Sequence, residues 1–293
     1  MYIIFGSSGF IGKNLKKNLI KKYGKNNIFC FDRNPSNKNF STKINLSKKN
    51  LVFKSKILKA NTAFILSADS RVIVNNVLAK INQIRTNKQI IKNIIKILRQ
   101  IDISNIVYFN SSSVYSSFNK KPFKENQKLN PKIALGKSKF YAEKKLSEIC
   151  KRKKINFLSL RIFTVYGPGI SKHQFIAQAI KKFFSKKKTL IFWNKEIKRS
   201  FIFIDDLVRI IDRLINRGFK NQLIINIGGT RLYKIKDVID LISKITKIKK
   251  KIIYLDSKNN VDHEPSFVKL KKIIKNFHFT SFKNGLIKTI NEL

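Results

Sequence analysis

Gly6, Gly9 and Gly12 stand three residues apart in Gly6-Ser7-Ser8-Gly9-Phe10-Ile11-Gly12, between the apolar run Tyr2–Phe5 and a helical pattern over Ile11–Lys22. Glycines so placed let a strand turn sharply into a helix and let the backbone approach a pyrophosphate. The N–H groups and positive dipole end of the helix then favour the anion. The segment reads as a dinucleotide site made by Gly6, Ser8, Gly9, Phe10, Ile11 and Gly12. Asp32 closes the next apolar run, twenty residues after Gly12. A carboxylate there accepts hydrogen bonds from ribose hydroxyls and repels a 2′-phosphate, which favours NAD over NADP. Arg33, the next residue, is the group that could pair with such a phosphate.

The elements that must carry this turn are legible as alternating strand and helix patterns. Short apolar runs at Tyr2–Phe5, Ile28–Phe31, Thr62–Leu66, Ile106–Phe109 and Phe157–Leu160 predict buried parallel strands. Helical stretches lie between them at Ile11–Lys22, in a segment ending near Arg99, and at Lys137–Arg152. In the second, Ile90, Ile91, Ile94, Ile95 and Leu98 line one face. The alternation predicts an α/β fold with a doubly wound parallel, Rossmann-type sheet. After Gly167 the pattern loosens into helices at Gln174–Phe184, Asp205–Asn216 and Ile235–Ile245, with short strands at Leu190–Phe192, Phe201–Ile204 and Leu223–Ile227. We expect a cofactor-binding domain over 1–165 and a smaller substrate-binding lobe over 166–293, interleaved with the sheet.

The chain carries 63 Lys and Arg against 16 Asp and Glu, a formal charge of +47. Only 11 of the basic residues are Arg, whereas groove and phosphate recognition tends to recruit Arg. The lysines are dispersed, and the runs Lys186–Lys188 and Lys249–Lys251 follow helical segments, where cations suit the dipole. Composition therefore favours a lysine-rich surface over a nucleic-acid-binding module, and a positive field that attracts anions such as nucleotide diphosphates. No run of about 18 apolar residues predicts membrane insertion. The start lacks the pattern of a signal peptide. Cys30 and Cys150 match neither a metal-ligand spacing nor a disulfide framework, so no metal is expected and the cytoplasm is the expected compartment.

Further segments follow in order: Leu66-Ser67-Ala68, the paired Asn87 and Asn93, Phe109-Asn110-Ser111-Ser112-Ser113-Val114-Tyr115, Lys139 with Glu143, Arg161 to Pro168, Arg199 to Asp206, and Asn226-Ile227-Gly228-Gly229. Together with the glycine turn they resemble the extended short-chain dehydrogenase/reductase family, the NAD-dependent nucleotide-sugar epimerases and dehydratases. The resemblance covers nearly the whole chain. It implies that Asn45 lies near adenine, that Leu66, Ser67, Ala68, Asn87 and Phe163 lie against the cofactor, and that Lys139 holds it. It makes Ser111 the catalytic hydroxyl, with Ser112 next, and assigns Thr164 and Arg199 to the nucleotide-diphosphate sugar, although family members usually have Asn where Thr164 stands. It also implies a homodimer through the helices ending near Arg99 and Arg152.

One position departs from the family pattern. Where a Tyr should precede Lys139 by four residues, the chain has Leu135. Tyr141 with Lys145 has the same spacing. However, six residues along a helix rise about 9 Å and rotate near 240°, so Tyr141 should face elsewhere and serve packing. Leucine neither donates nor accepts a proton, and an acid–base group is typically worth about 10²–10⁴-fold in rate. Lys139 itself, a water on Ser111, Tyr115 and His173 are the candidate replacements. Ser112-Ser113 stand where a dehydratase would have Asp-Glu. The expected activity is therefore redox chemistry at a sugar hydroxyl, as a 4-epimerase or 4-keto reductase with an atypical acid/base. The alternatives are a catalytically silent NAD- or sugar-nucleotide-binding protein and, less favoured, a basic nucleic-acid-binding protein.

Overall fold

The computed structural model describes residues 1–33, 41–53, 57–71, 76–116, 118–256 and 262–292. In chain order the elements are β1 (Tyr2–Phe5), α1 (Phe10–Tyr23), β2 (Ile28–Asp32), β3 (Ser41–Lys43), β4 (Lys59–Ile65), α2 (Val77–Leu98), β5 (Asp102–Ser111), α3 (Ala134–Arg152) and β6 (Asn156–Ile162). Then come β7 (Thr164–Tyr166), α4 (Phe175–Phe183), β8 (Thr189–Trp193), β9 (Lys198–Phe203), α5 (Ile204–Arg217) and β10 (Gln222–Ile227). The chain closes with β11 (Leu232–Lys234), α6 (Ile235–Thr246), β12 (Lys251–Leu255), α7 (Val268–Ile273) and α8 (Phe282–Asn291). Two compact units result. The first comprises Met1–Asn119, Gln127–Ile162 and Asp212–Ile225; the second comprises Lys120–Asn126, Phe163–Ile211 and Asn226–Leu293.

The first unit is built on a seven-stranded sheet of order β10-β6-β5-β4-β1-β2-β3. The pairings of β1 with β2 and β4, of β2 with β3, and of β5 with β4 and β6 are all parallel. Ile3, Ile4 and Phe5 are fully buried, as a central parallel strand covered on both faces requires. Each such side chain contributes about 1.5–3 kcal/mol by leaving water. α2 begins at Asn76, whose side chain accepts the Ala79 N–H at 2.7 Å, an ordinary N-cap. Its Ile90, Ile91, Ile94, Ile97 and Leu98 pack with Ile3, Phe5, Ile65, Ile106 and Tyr108 in one core. Ile95, expected in that stripe, is only partly buried, and Ile97 takes its place.

Strand order reverses between β1 and β4, so the chain leaves these neighbours in opposite directions and opens a crevice beyond their C-terminal ends. Gly6 follows β1 and Leu66 follows β4, which puts both at this point.

In the second unit β9 lies between β7, parallel to it, and β11, antiparallel. β8 and β12 form a separate parallel pair. Tyr166, Phe201, Tyr233 and Phe282 stack around α8, with Tyr233 and Phe282 centroids 4.3 Å apart. No helix among the described residues is long and apolar enough to cross a membrane.

Candidate functional site

The glycine turn separates what the protein needs from what a ligand needs. A Cβ on Gly12 would sit 2.2 Å from the Gly6 carbonyl oxygen, and one on Gly6, whose φ is +92°, would sit 2.9 Å from Ser67 N. Both positions require glycine for the fold alone. A Cβ on Gly9 would meet nothing nearer than the Gly6 carbonyl at 3.7 Å, and its φ of −71° suits any residue. Gly9 caps α1 with no side-chain acceptor, and the first turn of the helix holds no acidic residue. The turn thus leaves room and positive potential for an anion at the helix N-terminus, and these residues fit the pyrophosphate of NAD.

Asp32 ends β2 beside this turn and is buried. Its carboxylate accepts the Ser8 backbone N–H and the Ser8 hydroxyl, both at 2.7 Å, and the Ser7 hydroxyl at 3.4 Å. Arg33 is exposed. The Leu66 and Ser67 N–H groups both donate to the Phe5 carbonyl, at 2.9 and 3.0 Å, which lays Leu66, Ser67 and Ala68 alongside the turn.

Two asparagines on α2 hold loops rather than projecting outward. Asn87 accepts the Asp69 N–H at 2.7 Å and donates to the Asp69 carbonyl at 3.1 Å and the Ser138 hydroxyl at 2.9 Å. Asn93 donates to the Leu46 and Lys48 carbonyls, each at 2.8 Å. Asn45 is exposed, and its side chain accepts from the Ser47 N–H and hydroxyl of its own turn.

β5 delivers Ser111 at its last position. The Ser111 N–H donates to Asn110 Oδ1 at 2.8 Å, and its hydroxyl accepts the Ser113 N–H at 3.1 Å. Ser112 opens a single 3₁₀ turn, Ser112–Val114. α3 packs directly on that turn: a Cβ on Gly136 would lie 2.1 Å from the Ser113 carbonyl oxygen. α3 starts at Ala134, three residues before the expected start at Lys137. A glycine ordinarily weakens a helix, but here the contact needs one.

Behind Ser111 lies a buried polar network. Glu143 accepts Asn110 Nδ2 and the Ser159 hydroxyl, each at 2.6 Å, and pairs with Arg161 at 2.8 Å. Arg161 also donates to the Tyr115 hydroxyl at 3.0 Å. The network fixes Asn110 and through it the Ser111 backbone. The roles of Asn110 and of the Glu143–Arg161 pair were not foreseen. The available signal was the charged Arg161 inside the otherwise uncharged β6; Glu143 is one of several charged residues in the lysine-rich α3.

Leu135 and Lys139 stand one turn apart on α3, 4% and 7% exposed. Lys139 Nζ donates to the Phe109 carbonyl at 2.6 Å and lies 5.0 Å from the centre of the Tyr108 ring. Burial draws its pKa down to about 8. Tyr141 carries Lys88 of α2 over its ring at 5.0 Å, in keeping with a packing role.

In the second unit the Phe163 N–H donates to the Ile227 carbonyl at 2.8 Å, and Thr164 pairs with Phe201. Arg199 is half-buried in β9 and bridges to His263. Burial draws the guanidinium down to about 10, with Asp262 opposing, so it stays charged at neutral pH. Burial and then Arg199 push His263 down to about 3, so it stays neutral. Asp262 accepts the Lys198 N–H at 2.8 Å and Lys121 Nζ at 3.1 Å. The sequence offered no periodic or motif signal for His263. His173, considered instead, is an exposed residue of the turn before α4.

The sequence profile described as "NAD dependent epimerase/dehydratase family" matches residues 2–228. YtcB of Bacillus subtilis, described as an uncharacterized UDP-glucose epimerase, is 28% identical over 312 residues, spanning 98% of this chain and 96% of its own. A mutant UDP-glucuronic acid 4-epimerase from Bacillus cereus, solved with UDP-4-deoxy-4-fluoro-glucuronic acid and NAD, superposes with a TM-score of 0.83. It is 21% identical, with 99% of this chain and 98% of that one covered. The UDP-N-acetylglucosamine 4-epimerase of Methanobrevibacter ruminantium, solved with UDP-N-acetylmuramic acid, has the same fold at a TM-score of 0.83 and 21% identity, covering 99% and 97%. With the profile spanning most of its length, the chain belongs to the NAD dependent epimerase/dehydratase family.

Proposed function

We propose that this chain acts on a nucleotide-diphosphate sugar, as a 4-epimerase or 4-keto reductase with NAD as its cofactor. The observation that carries the reading is Gly9, a glycine the fold does not require, at an uncapped helix N-terminus beside a buried carboxylate. In this reading Gly6 to Gly12 receive the pyrophosphate and Asp32 accepts ribose hydroxyls. Leu66, Ser67, Ala68 and Phe163 line the cofactor, Lys139 holds it, and Asn87 and Asn45 act through the loops they brace. NAD, when bound, supplies the hydride acceptor and donor. Ser111, or Ser112 in its stead, hydrogen-bonds the sugar hydroxyl. Thr164 takes part in substrate binding, and the planar fork of Arg199 suits two diphosphate oxygens at once.

UDP-sugars are the first substrates to try, given the relatives' names. Ser112 and Ser113, lacking carboxylates, do not support 4,6-elimination. We further propose that residues 1–165 form the cofactor-binding domain, which also carries Ser111 and Thr164, that 166–293 form the smaller substrate-binding lobe, and that the protein works in the cytoplasm as a homodimer, which light scattering checks. The test of the function is bound NAD identified by mass spectrometry, followed by NMR of UDP-glucose, UDP-glucuronic acid, UDP-N-acetylglucosamine and dTDP- and GDP-sugars. A protein that holds no NAD and changes none of these sinks the reading. Leu135 favours one rival: if NAD and a UDP-sugar bind without turnover, the chain is a binding protein.

A further inference from the structure

We propose that Lys139 is the proton carrier of this site, taking the part that a phenol at position 135 would have played. The inference rests on the nucleotide-sugar reading above and adds the residue that makes it chemically complete.

The geometry begins with an absence. Leu135 brings no polar atom to the face of α3 that Lys139 shares, and it is shorter than a tyrosine by half a ring and a hydroxyl. Lys139 Nζ spends one N–H on the Phe109 carbonyl. Among the described residues nothing else bonds it, so two donor positions of a buried amine are left for a ligand.

No carboxylate among the described residues holds the charge in place. Glu143, one turn on, is committed to Arg161, Asn110 and Ser159. Tyr108 from β5 offers its ring, while its hydroxyl donates to the Lys139 carbonyl at 3.4 Å. Burial, then Glu143, drives that phenol well above its ordinary value. The other side chains that could titrate are engaged elsewhere: the Tyr115 hydroxyl accepts from Arg161, Tyr141 lies under Lys88, and His173 is exposed.

An ammonium so unsupported loses its proton easily. With a pKa of about 8, roughly a quarter of it is the free amine at pH 7.5, against about one part in a thousand for an ordinary lysine. In the oxidising half-reaction the amine takes the hydroxyl proton as the O–H bond breaks and the C=O bond forms. The C–H bond gives its electron pair away as hydride, so the sugar carbon is oxidised and NAD reduced. In the return half the ammonium gives the proton back to oxygen as hydride returns to carbon.

Two measurements test this. The first is peptide-resolved labelling of Lys139 by a neutral amine reagent against pH, on the protein without sugar. Lys139 should titrate near 8. Titration together with the bulk lysines overturns the proposal. The second uses UDP-glucose and UDP-glucuronic acid as probes with wild type, Lys139→Arg and Lys139→Met, each checked for fold by circular dichroism and for NAD by mass spectrometry. Arginine keeps the charge and cannot give up its proton. Both variants should retain the fold, and Lys139→Arg should retain NAD and lose about 10²–10⁴-fold in kcat. Wild-type kcat/KM should rise as pH climbs through about 8. A Lys139→Arg protein that holds NAD and turns over within threefold of wild type overturns the inference and leaves the function standing. A wild type that holds NAD but converts no sugar nucleotide overturns both.

Discussion

Substituting alanine at Gly9 and at Gly12 should separate binding from folding. At Gly9 the backbone angles, φ −71° and ψ 166°, are open to alanine, and the new methyl meets only the Gly6 carbonyl at 3.7 Å. Alanine is a poorer N-cap than glycine, but it also restricts the unfolded chain. The two effects offset, and stability without cofactor should stay within about 1 kcal/mol of wild type. In the proposed site the methyl would project where the pyrophosphate approaches, so NAD should bind at least tenfold more weakly, about 1.4 kcal/mol or more. At Gly12 the methyl would lie 2.2 Å from the same carbonyl oxygen and 3.0 Å from Ser7 Cα, so the turn must move by about 1 Å to reach ordinary contact. Overpacking of this kind costs about 1–3 kcal/mol, against a gain of about 1 kcal/mol in helix propensity. Gly12→Ala should therefore lose up to about 2 kcal/mol of stability and its NAD affinity as well. Urea unfolding of the cofactor-free variants and calorimetric titration with NAD measure both quantities. The reasoning fails if Gly9→Ala binds NAD like wild type, or if it destabilises the free protein as much as Gly12→Ala does.

Asp32→Ser should move the NADP-to-NAD ratio of dissociation constants at least tenfold toward NADP, by removing the carboxylate that repels a 2′-phosphate; calorimetry with each cofactor reads it. Glu143→Gln should cost about 3–5 kcal/mol in urea unfolding, because Arg161 is left charged and uncompensated in the core. The double variant Glu143→Leu with Arg161→Met should recover much of that loss, and no recovery would mean the pair is not the source. The contribution of Lys139 to stability should also rise between pH 8 and 10.5. Lys139 has its folded pKa lowered to about 8 from 10.5, so the unfolded chain binds more protons within that window. The penalty is full below about 8 and gone above 10.5, a span of about 3 kcal/mol. Denaturant titrations across this range should show wild-type stability rising relative to that of Lys139→Met, in which the other titrating groups, Cys150 among them, act alone.

The parallel sheet was legible because its strands are apolar on both faces and are punctuated by turns. β1, β2, β5 and β6 each contain an expected run, and β4 contains all of one but Leu66. The edge strand β3 and the pair β8–β12 were harder to see in full. Ser41–Lys43 is three residues long, and Lys251–Leu255 half-buries only alternate residues behind a lysine run. In the site, the glycine turn and Asp32 could be read because backbone chemistry restricts which residues serve there. Asn87 and Asn93 could be located from sequence, but their partners could not, since an asparagine six residues from another does not announce which loop it will brace. The Glu143–Arg161 pair and the His263–Arg199 bridge are contacts between residues far apart in the chain, and spacing alone carries no record of them.

The first unit borrows its last strand from late in the chain: β10 enters at Gln222, after the polypeptide has left at Phe163 and returned at Asp212. During synthesis β6 must therefore wait for some sixty residues (at about 5–20 residues per second, several seconds) with one edge of backbone N–H and C=O groups unpaired. An open edge next to Phe157, Leu158 and Leu160 is a template for joining another chain. The nascent protein is most exposed to aggregation in that interval, and a version truncated before β10 would carry the exposed edge permanently.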